Sequence, residues 1–126
     1  MKRSFCYLLF VLVGQLATGQ TAFLKIDNPK HNFGFVREGE VVNMEFVIHN
    51  TGKEPLIISE TKVECGCTTV EKPSQPIIPG ASGIIKVSFD TKNKMDRQDR
   101  TVTIISNASN SPSTVRFKGV VLKKKK

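Results

Sequence analysis

From residue 20 onward apolar side chains recur at alternate positions, with little of the spacing of an amphipathic helix, and this period confines the chain to β-structure. The clearest run is Val41 to His49. Val42, Met44, Phe46 and Ile48 share one face and Asn43, Glu45 and His49 the other, as in a strand buried on one side only. It stops at Asn50-Thr51-Gly52-Lys53, a polar turn whose glycine can take positive φ. The chain resumes in Pro55-Leu56-Ile57-Ile58, where proline suits a first or edge position. After a second turn at Pro79-Gly80-Ala81-Ser82-Gly83, Ile85, Val87 and Phe89 alternate with Lys86 and Ser88. Ala22 to Ile26, Asn32 to Val36, Thr101 to Ser106 and Thr114 to Leu122 complete about seven strands, with Asn107 to Pro112 as the last turn. Asp90 to Arg100, dense in Lys, Asp and Arg, reads as an exposed loop. Short strands at such intervals predict an all-β sandwich whose core contains Phe46, Ile48, Ile85, Val87, Phe89 and Ile104.

The first 19 residues read differently. Lys2 and Arg3 precede the uncharged apolar run Phe5 to Val13, which is too short to span a bilayer. Ala17-Thr18-Gly19 then places small residues where a signal peptidase cuts. The expected organisation is a signal peptide over 1–19 cleaved between Gly19 and Gln20, a sandwich domain over 20–122 and a basic tail over 123–126. Cys6 lies inside the apolar run and not at the cleavage point, so no lipid anchor is expected. The product is expected to be periplasmic or extracellular and not transmembrane after cleavage. Its 107 residues suffice for one core.

Export changes the meaning of the formal charge of +8. With Lys2, Arg3 and the last four lysines set aside, thirteen basic side chains face eleven acidic ones. Trp is absent and Tyr7 falls in the leader, so nucleic acid is not expected as a partner. Lys123 to Lys126 read as a solvated end that blunts edge pairing and that also suits an anionic envelope surface.

Several motifs stand in one order: Phe33-Gly34-Phe35-Val36-Arg37-Glu38-Gly39, Phe46-Val47-Ile48-His49-Asn50-Thr51-Gly52, Pro55-Leu56-Ile57-Ile58, Cys65-Gly66-Cys67-Thr68, Ile78-Pro79-Gly80 and Val87-Ser88-Phe89-Asp90-Thr91. The set resembles the bacterial domain-of-unknown-function family 1573, over roughly Phe33 to Gly119. More distantly it is similar to sperm-protein-like and Hydin-like domains. The resemblance implies an exported immunoglobulin-like module without an assigned activity, and it carries over no catalytic residue.

Cys65 and Cys67 are the sharpest local feature, because alternate strand residues point to one face. Two extended steps of about 3.3 Å would set their Cα atoms near the upper limit for a disulfide, about 6.8 Å, and a bend at Gly66 would relieve this. Closing so short a ring is worth only about 1.6 kcal/mol by chain entropy, and strained short rings are readily reduced. Three readings therefore stay open for the pair: an inert structural disulfide, a redox-labile one, or a two-thiolate site suited to Cu(I). Zinc is disfavoured, since four ligands are needed and only His31 and His49 supply nitrogens. Both histidines read as surface strand residues.

No nucleophile elbow, paired-histidine spacing or phosphate loop is present in the sequence. The chain is therefore expected to be a non-catalytic binding or scaffold module of the cell envelope, without a cofactor, contacting protein or glycan. The alternative is a small thiol-redox or Cu(I)-binding protein acting through Cys65 and Cys67.

Overall fold

The computed structural model describes residues 21–124; the expected leader, its cleavage point at Gly19 and Gln20, and the last two lysines lie outside the described residues. Eight strands follow one another: β1 (Leu24–Ile26), β2 (Lys30–Arg37), β3 (Val41–Asn50), β4 (Ile58–Val63), β5 (Thr68–Glu71), β6 (Ser82–Asp90), β7 (Asp96–Ser106) and β8 (Ser113–Leu122). They form two four-stranded sheets, ordered β1-β3-β6-β5 and β2-β8-β7-β4. All pairs are antiparallel except β2 with β8. Among the described residues no helix is long and apolar enough to cross a membrane.

The alternation read in β3 and β6 sets the core. Phe46, Ile48, Ile85, Val87, Phe89 and Ile104 are all at most 2 % exposed. Val102, Val115 and Phe117 of the second sheet belong to the same core cluster, and Val121 is buried on that sheet too. Phe89 and Phe117 stack tilted with centroids 5.2 Å apart, and Phe33 closes the cluster at 5.9 and 6.4 Å. Burying side chains of this size contributes about 1.5–3 kcal/mol each, which makes these rings the main cohesive element between the sheets.

β2 departs from strict alternation. Its register with β8 slips between Asn32 and Gly34, and Gly34 sits at φ 77°, where only glycine is unstrained. The Asn32 side chain accepts the Gly34 N–H at 2.8 Å and fixes the bulge. The extra residue reverses the phase of the strand. Phe33 packs inward against Gly119, where a Cβ would come within 3 Å of the ring, while Phe35 points out and is 73 % exposed.

The Asn-Thr-Gly and Phe-Asp-Thr motifs turn out to be internal fastenings. Asn50 is wholly buried; its amide donates to the carbonyls of Glu54 at 2.7 Å and Ile77 at 2.8 Å. Its side-chain oxygen accepts the N–H groups of Gly52 at 2.9 Å and Phe23 at 3.3 Å. Gly52 is required because the backbone of Thr21 to Phe23 crosses where a Cβ would stand. At the other end of the sandwich buried Thr91 accepts the Gly39 N–H at 2.9 Å and donates to the Glu40 carbonyl at 2.6 Å, closing the β2–β3 turn.

Three expectations are corrected. Asp90 to Arg100 is not one loop: β7 begins at Asp96, and only residues 91–95 connect it to β6. The charged stretch hides a strand because its inward positions are polar too. Gln98 is buried and caps the Met95 carbonyl at 2.9 Å, and the Arg100 guanidinium lies 5.8 Å from the Phe89 ring centroid. Pro55 to Ile58 is not a strand either, since β4 starts only at Ile58 and Leu56 makes a single bridge to Ile77. β1 is shorter than the run Ala22 to Ile26, Ala22 bridging to Ala108 instead. To the about seven strands expected, Thr68–Glu71 adds an edge strand, making eight among the described residues.

Candidate functional site

Cys65 and Cys67 do not lie on a strand. They occupy the turn by which the chain leaves β4 in one sheet and enters β5 in the other. The Thr68 N–H donates to the Cys65 carbonyl at 3.3 Å and the Asp90 N–H to the Cys67 carbonyl at 2.9 Å, so the turn is bent and docked on the end of β6. The Cα atoms stand 5.3 Å apart, and the sulfurs are joined as a disulfide. The turn, and not a left-handed Gly66, supplies the bend: Gly66 is exposed, and a Cβ there would meet nothing within 4 Å. Both cysteines are half-buried, with the Thr68 hydroxyl 3.9 and 3.8 Å from their sulfurs.

Neither histidine approaches this turn. His31 is on β2, at the opposite edge, with its ring edge-on to Phe46 at 6.3 Å. Among the described residues no group of three or more His, Cys, Asp or Glu side chains stands together to hold a metal.

His49 has partners that sequence reading missed. Register places it beside Lys25 on β1 and opposite Ser82 on β6. Its Nε2 lies 2.9–3.0 Å from the Asp27 carboxylate, which can only accept, so Nε2 donates. In the neutral ring Nδ1 is then free to accept from the Ser82 hydroxyl, 2.7 Å away. The His49 hydrogen bond, helped by Lys25 at 3.9 Å, holds the Asp27 carboxyl below the ordinary carboxylate range.

An Asp-His-Ser chain invites a hydrolase reading, but acyl transfer also needs free N–H groups aimed at the developing oxyanion. Here the neighbouring N–H groups are already used. Gly80 donates to the Asn50 carbonyl, Asn50 to the Ala81 carbonyl, Ala81 to the Ile78 carbonyl and Gly52 to the Asn50 side chain. Ser82 is exposed on the sheet face. The arrangement is a surface hydrogen-bond chain that ties β1 and β6 to β3. The residues are 22 and 33 positions apart in sequence, and only the strand register could have revealed them.

A concavity of about 840 Å³ lies on the outer face of β3 and β6, under the connection from Glu71 to Ala81. Val47 and Ile84, paired across the strands, form its floor. Pro73, Pro76 and Ile78 form its wall, and Ile78 is 63 % exposed. Gly83 lets the connection close down, since a Cβ there would come within 3 Å of the Ile77 side chain. The lining contains no aromatic ring, and its charged end carries Glu71, Lys72 and Lys86. Beside it β5 is a sheet edge, hydrogen-bonded on one side only, to β6.

Solved structures share this architecture. A protein of unknown function from Porphyromonas gingivalis W83 superimposes with a TM-score of 0.71 at 19% identity, over 83% of this chain and 49% of that one. The chain thus spans about half the length of that relative. The ASH/PapD-like domain 7 of human CEP192 matches with a TM-score of 0.62 at 10% identity, over 94% of this chain and 99% of that one. The secreted serine protease VesC from Vibrio cholerae matches with a TM-score of 0.61 at 15% identity, over 79% of this chain and 23% of that one. At such identities the likeness establishes the fold alone, an immunoglobulin-like β-sandwich. A search of curated proteins gives no match. A family model matches residues 24–121, nearly the whole of the described sandwich, and the chain therefore belongs to the family described as protein of unknown function DUF1573.

Proposed function

We propose that the chain is exported and serves as a non-catalytic binding module of the bacterial cell envelope, taking an extended segment of a partner protein into the groove over Val47 and Ile84. The observation that carries this reading is the chemistry of the groove. Its lining is aliphatic and proline-rich, and it borders the unpaired edge of β5, where a peptide could add main-chain hydrogen bonds to the sheet. A glycan site would be expected to offer aromatic faces, and the groove has none, so protein is the favoured partner over glycan. The Lys2-Arg3 start, the apolar run and Ala17-Thr18-Gly19 support export. The occurrence of a similar sandwich as a minor part of the secreted protease VesC fits a module that assists a larger activity. The test is to express the full chain with a photo-crosslinking residue at Ile84 or, as control, at Lys62 on the other sheet. Discrete adducts from position 84, abolished by Val47→Glu, together with a mature N-terminus at Gln20, are expected. A chain retaining Lys2 would refute export, and equal labelling from both positions would refute the groove.

The thiol reading keeps one specific observation in its favour. Cys65 and Cys67 are only half-buried and stand on a turn, where a small thiol or Cu(I) could approach the pair. Copper titration of the reduced chain decides it: tight one-to-one binding lost in the double serine variant would place metal chemistry first.

A further inference from the structure

The exposure of Phe35 is built into β2. The Gly34 bulge turns this ring out of the sandwich while Phe33 stays in, and at 73 % exposure it is the most exposed large apolar side chain among the described residues. Its neighbours on the sheet are fixed by register. Phe35 lies opposite Val120, and Val120 opposite Arg97; Lys118 stands one row away, between Asn32 and Asp99. Phe35, Val120, Arg97 and Lys118 together line a shallow depression of about 280 Å³. Two residues along β2 from Phe35, Arg37 donates from its guanidinium to the Lys123 carbonyl at 3.1 Å and so fastens the start of the lysine run beside the same edge. Lys123 and Lys124 are exposed, and the sequence continues with Lys125 and Lys126. Of the carboxylates beside this face, Asp99 is already matched by Arg116 through two contacts of 2.6 Å, and Glu40 accepts the Arg37 backbone N–H at 2.9 Å.

We infer that this face is a docking surface for an anionic phospholipid bilayer, with Phe35 and Val120 entering the headgroup boundary and Arg37, Arg97, Lys118, Lys123 and Lys124 lying against the phosphates. An apolar centre bordered by cations matches the layered chemistry of such an interface, where rings sit at the acyl boundary and cations at headgroup depth. Clusters of four to eight cations at a membrane surface are the usual size for recognition of anionic lipid. A single-stranded nucleic acid would call instead for several rings on which successive bases stack, and this face has one ring beside an aliphatic side chain. The surface is on the opposite sheet from the Val47–Ile84 groove, so the two sites stand or fall separately.

The experiment uses the full chain and vesicles of phosphatidylcholine with or without about 30% phosphatidylglycerol, at moderate salt. The apolar N-terminal run is common to every variant and both vesicle types, so the differences report the face. Binding to the anionic vesicles is expected to be at least about tenfold tighter, and to weaken about fivefold for each of Arg97→Gln and Lys118→Gln. Lys53→Gln, at the far end of the sandwich, is expected to leave it unchanged. Because the chain has no Trp, Phe35→Trp provides a sole indole reporter, whose emission should shift to the blue on anionic vesicles and be quenched by brominated lipid. Thermal melting of each exposed-site variant confirms that it folds. Equal binding to both vesicle types, an unshifted indole, or unchanged binding of the charge variants would overturn the proposal. So would tighter binding of this face to an oligonucleotide or a sulfated glycan that displaces the vesicles.

Discussion

Replacing Asn50 with alanine tests whether the Asn-Thr-Gly motif is a structural fastening. Four hydrogen bonds disappear at once: donations to Glu54 and Ile77, and acceptances from Gly52 and Phe23. They are not equal. The Phe23 contact is long at 3.3 Å, and the Ile77 carbonyl keeps the Leu56 N–H at 2.8 Å after the amide is gone. Each intramolecular hydrogen bond is worth about 0.5–1.5 kcal/mol net, and a buried group left without a partner costs more, which puts the loss at about 3 kcal/mol. That is a large part of the stability of a domain this size, about 5–15 kcal/mol. Urea unfolding followed by far-ultraviolet circular dichroism at neutral pH measures it. Asn50→Asp sharpens the test. Its carboxylate would face the Glu54 and Ile77 carbonyl oxygens, which favours the protonated form in the folded state and raises the folded pKa above the unfolded one. Its deficit relative to the wild type is therefore smallest below the unfolded carboxylate pKa and grows as pH rises toward the folded value. A loss below about 1 kcal/mol for the alanine variant, or an aspartate variant as stable as wild type at neutral pH, would refute the reasoning.

Phe46→Ala empties a core site and is expected to cost about 3–5 kcal/mol in the same assay. Replacing both Cys65 and Cys67 with serine is expected to leave the sandwich folded, with a loss no larger than about 1.6 kcal/mol, because the ring closed is so short; failure to fold would make the pair an essential part of the sheet crossover. Asp27 has a depressed carboxyl through His49, so its contribution is complete above the unfolded carboxylate range and is lost as pH falls through the folded value. The stability difference between wild type and Asp27→Asn should accordingly be present at neutral pH and vanish as pH falls through the depressed value of the folded carboxyl.

The sequence disclosed those elements in which one face is apolar throughout. Phe46 and Ile48 on β3, and Ile85, Val87 and Phe89 on β6, alternate with polar residues, and all five are buried as that period requires. β7 was legible only from Thr101, because upstream of it the inward positions are Gln98 and Arg100, whose burial depends on a carbonyl and an aromatic face that only the folded chain supplies. β2 was half legible. The period of two would put Phe33 and Phe35 on one face, and the phase reversal at Gly34 is a backbone feature that apolar spacing does not encode. β5 is four residues long and follows the cysteine turn, too short for any period to show. Of the candidate sites, the cysteine pair was visible as a motif, whereas the groove and the Asp27-His49-Ser82 chain arise from strand pairing between distant segments.

The most direct test of the binding-module reading is photo-crosslinking in living cells from position 84, at the floor of the groove. The account predicts one or a few discrete protein adducts, formed after export and lost when Val47→Glu places a charge beside the probe. Adducts that survive Val47→Glu, or labelling no different from that at Lys62, would contradict it.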